Sequence, residues 1–158
     1  MRQIIMTNKN LTAAARLAVI AGLGVATTVL AIDLTKLPPP SEQKGVTYAK
    51  DIQPIFKANC FDCHGSAPRP KHGLRLDSMA GALKGSQDGA VIVPGKSDKS
   101  DLVINICWEA GPEHPMPPKP EARPGAPGAG NQPPGPPHKE LTPEQIGLVR
   151  AWIDQGAK

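Results

Sequence analysis

The sequence predicts an all-α domain, and three observations carry that reading: apolar residues return at helical rather than alternating intervals, one segment has a complete helix-start signature, and proline punctuates much of the rest. The chain has 158 residues, room for one ordinary domain behind an export segment and too few for a further catalytic domain. Aromatic residues make up only 3% of the composition, a meagre supply for a self-sufficient small core, so a large apolar cofactor is expected to help fill it.

Residues 1–31 read as a signal peptide or an N-terminal membrane anchor. Arg2, Lys9 and Arg16 precede the uncharged run from Leu17 to Ile32, and the first acidic residue is Asp33. The run is shorter than the roughly 20 residues of a spanning helix, which favours cleavage. Val29-Leu30-Ala31 offers a small residue at the cut, although Val29 departs from a strict A-x-A site. Membrane attachment through residues 17–32 is the alternative. Either outcome exports the domain to the periplasm or cell envelope of a bacterium. Without the three leader cations, basic and acidic residues nearly balance, so neither nucleic acid nor an anionic membrane surface is expected as a partner.

Residues 32–45 combine proline, serine and charge without periodicity and read as a linker, with ordered structure expected from about Val46. Asp51 is expected to cap a helix carrying Ile52, Ile55, Phe56 and Cys60, with Pro54 in its first turn. Residues 65–100 read as loops, apart from a short helical pattern from Asp77 to Leu83 and an extended VIVPG segment at 91–95. Leu102, Val103, Ile106 and Cys107 predict a helix from Ser100 to about Ala110, stopped by Gly111-Pro112. Proline recurs from Pro112 to Pro137, and residues 119–139 read as a flexible Pro/Gly-rich insertion. The last segment is the clearest helix: Thr142 as N-cap, Pro143 at the first position, Gln145 completing a capping box and Gly156 near the end. Ile146, Leu148, Val149, Trp152 and Ile153 give it a broad apolar face.

The chemistry concentrates in Cys60-Phe61-Asp62-Cys63-His64. In a C-x-x-C-H sequence two thiols one helical turn apart can form thioethers to the two vinyl groups of one haem, and the adjacent histidine meets the iron. Paired cysteines also serve as a redox dithiol, a disulfide or half of a zinc site. The dithiol wants a βαβ context that the pattern lacks, and zinc needs two further ligands, for which Cys107 and His114 are the candidates. Met116, between Pro115 and Pro117-Pro118, is the leading distal iron ligand, because the prolines stiffen the loop that presents it. His114 and His72 are its rivals, His138 reads as a solvated loop residue, and Met79 suits the core. Cys107, beside Trp108, reads as a buried small apolar residue. Three functions remain open on these residues: an electron carrier with both axial positions filled, a haem sensor or enzyme with an open sixth position, and a zinc-stabilised interaction module.

A wider set of residues resembles the planctomycete-type cytochrome c domain, over nearly all of residues 46–157. The set is Asp51-Ile52-Gln53-Pro54-Ile55-Phe56 before the haem motif, then Gly73-Leu74-Arg75-Leu76-Asp77, Val93-Pro94-Gly95 with Ser97 and Ser100, Met116-Pro117-Pro118, and Leu141-Thr142 leading to Trp152-Ile153-Asp154-Gln155-Gly156-Ala157. The resemblance implies a single-haem c-type cytochrome: a small cytochrome c-like helical domain over residues 46–158 around one haem c. The haem is covalent at Cys60 and Cys63, with His64 as proximal iron ligand and Met116 as distal ligand. The implied role is electron transfer between redox donor and acceptor proteins, not catalysis. The Pro/Gly-rich stretch is longer than the family's usual step from MPP to the last helix. Arg75 could contact a haem propionate, and an ion pair with Asp77 or plain surface solvation accounts for it equally well, so no role is assigned to it.

Overall fold

The computed structural model describes residues 32–119 and 139–158. Residues 1–31, and 120–138 with His138, lie outside them. Among the described residues the regular structure is helical, as expected; extended chain pairs only at an isolated bridge between Ser86 and Gly89.

The first helix begins earlier than its sequence signals suggest. A wide turn over Tyr48–Ile52, closed by the Gln53 amide on the Tyr48 carbonyl, runs straight into α1, Gln53–Asn59. Pro54 explains the widening. It lacks an amide, and its ring presses on the carbonyl four residues back, which a π-type turn relieves. Asp51 does cap, but by reaching back from inside the turn: its carboxylate accepts from the Thr47 amide at 2.8 Å and from Gln43 Nε2 at 3.0 Å. These bonds hold the exposed carboxyl below its usual pKa, the Thr47 amide contributing most.

The C-x-x-C-H segment forms its own turn, α2, Phe61–His64, and a further short helix, α3, Met79–Lys84, starts at the Ser78 cap. The expected core role of Met79 is corrected: it is 39% exposed, and Ala82 is the α3 side chain that is buried. The cause is Gly81, where a Cβ would stand 2.8 Å from the Arg75 Cβ; that face of α3 has room only for small residues, so Met79 and Leu83 turn outward. Next comes α4, Asp101–Ile106, which ends sooner than expected. The chain extends at Cys107, then makes a single tight turn over Trp108–Ala110 that the left-handed Gly111 terminates. The break lets the buried Cys107 thiol point at the Lys36 carbonyl at 3.6 Å. The final helix, α5, Pro143–Asp154, has the expected Thr142/Gln145 capping box and buries Ile146, Val149, Trp152 and Ile153.

These elements share one core. Trp152 and Phe56 are fully buried on either side of Tyr48, with ring centroids 5.7 and 6.3 Å from it in tilted pairs, the geometry that aromatic quadrupoles favour. Burial pushes the Tyr48 phenol up to about 12, and its hydroxyl donates to the Leu76 carbonyl at 2.6 Å. Ser97 joins α5 to the preceding loop, its amide and hydroxyl both donating to the Asp154 carboxylate.

Residues 32–45, expected as a linker ahead of the ordered structure, are themselves ordered. They form a strap across the domain. The Asp33 amide donates to the Ala110 carbonyl, the Ser41 amide to the Gly147 carbonyl, and Arg150 to the Pro38 carbonyl, while Leu37 is buried. Gly147 permits the crossing, since a Cβ there would lie 2.8 Å from the Pro39 carbonyl oxygen. No helix among the described residues is long and apolar enough to cross a membrane.

Candidate functional site

At the junction of α1 and α2 the chain kinks at Cys60, and the amides of Cys63 and His64 both donate to its carbonyl, at 3.1 and 2.8 Å. One turn of helix thereby sets Cys60 and Cys63 on the same face, with His64 next to them. A cleft of about 170 Å³ opens there; Cys60, Cys63 and His64 form one wall, and Met116, Pro117 and Pro118 another. Asn59, Asp62, Lys71 and His72 complete it.

All three cysteines are free thiols. Burial, and secondarily the neighbouring Cys63, push the Cys60 thiol up to about 12. A reactive redox dithiol needs the opposite shift, towards thiolate, so the site is poorly suited to disulfide exchange. The zinc arrangement also fails on geometry. Cys107 is buried against the strap, and His114 is 75% exposed beside Glu113; neither lines the cleft. Among the described residues no group of three or more His, Cys, Asp or Glu side chains could hold a metal ion.

His64 is buried, and burial pulls its pKa below the usual histidine value, leaving the neutral imidazole that binds metals. Its Nδ1 faces the Leu74 carbonyl at 3.3 Å. In the Nδ1–H tautomer the ring donates there and keeps Nε2 free for the cleft. Met116 is half-buried, packs on the core, and is held by its amide donating to the Asn105 carbonyl at 2.7 Å. Of its two rivals, His114 stays outside the cleft. His72 reaches the rim, in a left-handed backbone conformation, exposed and 3.6 Å from the Asp88 carboxylate.

The donor set fits a covalent haem: two thiols a helical turn apart, an imidazole with one nitrogen tied back, and a thioether on the same cleft. The cleft is smaller than the roughly 300 to 1,000 Å³ of pockets that enclose drug-sized ligands. Cys60, Cys63, His64 and Met116 would hold the group at this cleft.

Residues 60–120 match the planctomycete cytochrome C family. The matched segment contains the C-x-x-C-H turn, the Leu74–Asp77 stretch and Met116, so the family read from the residues and the family matched are the same. The planctomycete cytochrome C match covers less of the chain than that reading, stopping short of α1 on one side and α5 on the other. A cytochrome is a haem protein, so the match supports haem-based chemistry with haem c as the cofactor. No curated protein and no solved structure matches the chain.

Two contributors to the site were not anticipated. The Leu74 carbonyl is main chain, which no side-chain pattern announces, and Lys71 enters the cleft only because the turn over Lys71–Gly73 folds back beside α2. Arg75, left without an assigned role by the sequence, lies 3.4 Å from the Asp77 carboxylate but gives its shorter bonds to the carbonyls of Gly65 and Ala67.

Proposed function

We propose that this chain is a single-haem electron carrier of the bacterial envelope, with haem c tethered by Cys60 and Cys63, His64 as proximal ligand and Met116 as distal ligand. The observation that carries the reading is convergence: both thiols, the imidazole and, among the described residues, one methionine thioether line the same cleft. A haem bound there supplies one-electron redox chemistry. The chain's own residues do the rest. Burial keeps His64 neutral, the Leu74 carbonyl orients its ring, and the Asn105 carbonyl holds the Met116 backbone. Donor and acceptor are separate redox proteins, and residues 17–32 are either removed on export or retained as an anchor.

The test is an oxidised and reduced visible spectrum of protein exported by cells that carry the cytochrome c maturation machinery, with a check for haem that survives denaturing electrophoresis. Covalent haem, a low-spin spectrum and the weak long-wavelength sulfur-to-iron band are expected. Met116→Ala should keep covalent haem, lose that band and lower the reduction potential. An unchanged Met116→Ala spectrum removes Met116 from the iron. A wild-type protein that is high-spin and binds carbon monoxide moves the reading to a sensor or enzyme.

A further inference from the structure

Three successive residues send hydrogen bonds back to the exit of the C-x-x-C-H turn. The Leu74 carbonyl faces His64 Nδ1 at 3.3 Å, and the Leu76 amide donates to the His64 carbonyl at 2.7 Å. Between them the Arg75 guanidinium spans two carbonyls, Nη1 donating to Gly65 and Nη2 to Ala67, each at 3.0 Å. The other side of this segment is anchored as well: Tyr48 donates to the Leu76 carbonyl at 2.6 Å and Gln53 Nε2 to the Asp77 carbonyl at 3.1 Å. Arg75 is thus engaged by the chain itself. A rigid fork can fix the spacing of residues 64–67 from residues 74–77, which a single rotating ammonium cannot. The Leu74 contact depends on that spacing. At 3.3 Å it sits just beyond the usual 2.7 to 3.2 Å range, so a small outward shift of Leu74 would end it.

We infer that Arg75 is a positioning residue for His64: by clamping Gly65 and Ala67 it holds the Leu74 carbonyl against Nδ1 and thereby sets the orientation and basicity of the imidazole facing the cleft. The inference rests on the reading of His64 as proximal iron ligand. A hydrogen bond on the outer nitrogen of a ligating histidine fixes its tautomer and raises its basicity, and a more basic ligand favours the oxidised metal. Loosening the clamp should therefore raise the reduction potential.

The experiment uses the purified holoprotein as wild type, Arg75→Lys and Arg75→Met. Arg75→Lys keeps the charge and Arg75→Met keeps the apolar stem; neither keeps the fork. Two quantities are read: deuterium exchange of the His64 ring Nδ1–H by NMR of the reduced protein, and the midpoint potential by redox titration. Both variants should retain covalent haem and the sulfur-to-iron band, exchange Nδ1–H roughly tenfold faster, as the loss of one hydrogen bond implies, and titrate at a higher potential. If Arg75→Lys exchanges and titrates as wild type does, Arg75 is only a support for the loop and the inference is overturned. A change confined to Arg75→Met assigns the effect to charge and overturns it too. Should Arg75→Met fail to accumulate, Arg75→Lys decides alone. Absence of covalent haem from the wild type would overturn the proposed carrier and this role together, whereas a normal wild type with unmoved variants overturns the clamp alone.

Discussion

Around Trp152, side chains from the Tyr48–Ile52 turn, α1, α4 and α5 are buried almost completely. Around His64, the close contacts are hydrogen bonds to main-chain carbonyls, and the thiols and thioether are only half-buried. The first region gains its stability from apolar area removed from water, which is non-directional and tolerant of detail. The second is organised by direction. Hydrogen bonds fix where each group points while leaving the cleft open. The few aromatic residues are concentrated rather than spread: Tyr48, Phe56 and Trp152 stand together in the first region, and none of them lines the cleft.

The largest test of this contrast is Trp152→Ala. It should cost the protein about 3–5 kcal/mol in denaturant unfolding, because the fully buried indole cannot be replaced by local collapse. A loss below about 1 kcal/mol would show that the first region does not carry the fold. In the other direction, Cys60→Ser with Cys63→Ser should abolish covalent haem yet change the apoprotein's stability by about 1 kcal/mol or less, since both side chains are only half-buried and Cys60 touches the core from its edge. If the apo double variant no longer unfolds cooperatively while the wild-type apoprotein does, the separation of the two regions is broken. The smallest effect belongs to Asp51. Its carboxyl is depressed by the Thr47 amide first, then by the Gln43 and Thr47 side chains, so its stabilising contribution is complete above about pH 4 and fades as the pH falls through the depressed value. The urea midpoints of wild type and Asp51→Asn should differ at pH 6 and converge towards pH 3; a difference that ignores pH would remove Asp51 from the helix start.

What could be read in advance follows the range of the interactions involved. The capping box at Thr142 and the apolar face of α5 are encoded within a few residues, and so is the C-x-x-C-H turn; each was legible. The helix stop at Gly111 was legible for the same reason, but not the earlier break at Cys107, which serves a thiol contact with Lys36 far back in the chain. The strap was hidden because prolines without periodicity look like a spacer, whereas its docking is written in single bonds to Ala110, Gly147 and Arg150. Met79 was misplaced because spacing alone could not show that Arg75 crowds the inner face of α3. Within the site, the candidate side chains at 60, 63, 64 and 116 were visible and the carbonyl behind His64 was not.

The docked strap also governs how force enters the molecule. A pull on the chain at Asp33 is taken up first at the Ala110 carbonyl, then at Pro38 and Ser41 along α5, so there is no slack to absorb it. The load arrives at the tight turn over Trp108–Ala110, a few residues ahead of Met116. Any tension on the strap is thereby felt next to the loop that presents the thioether.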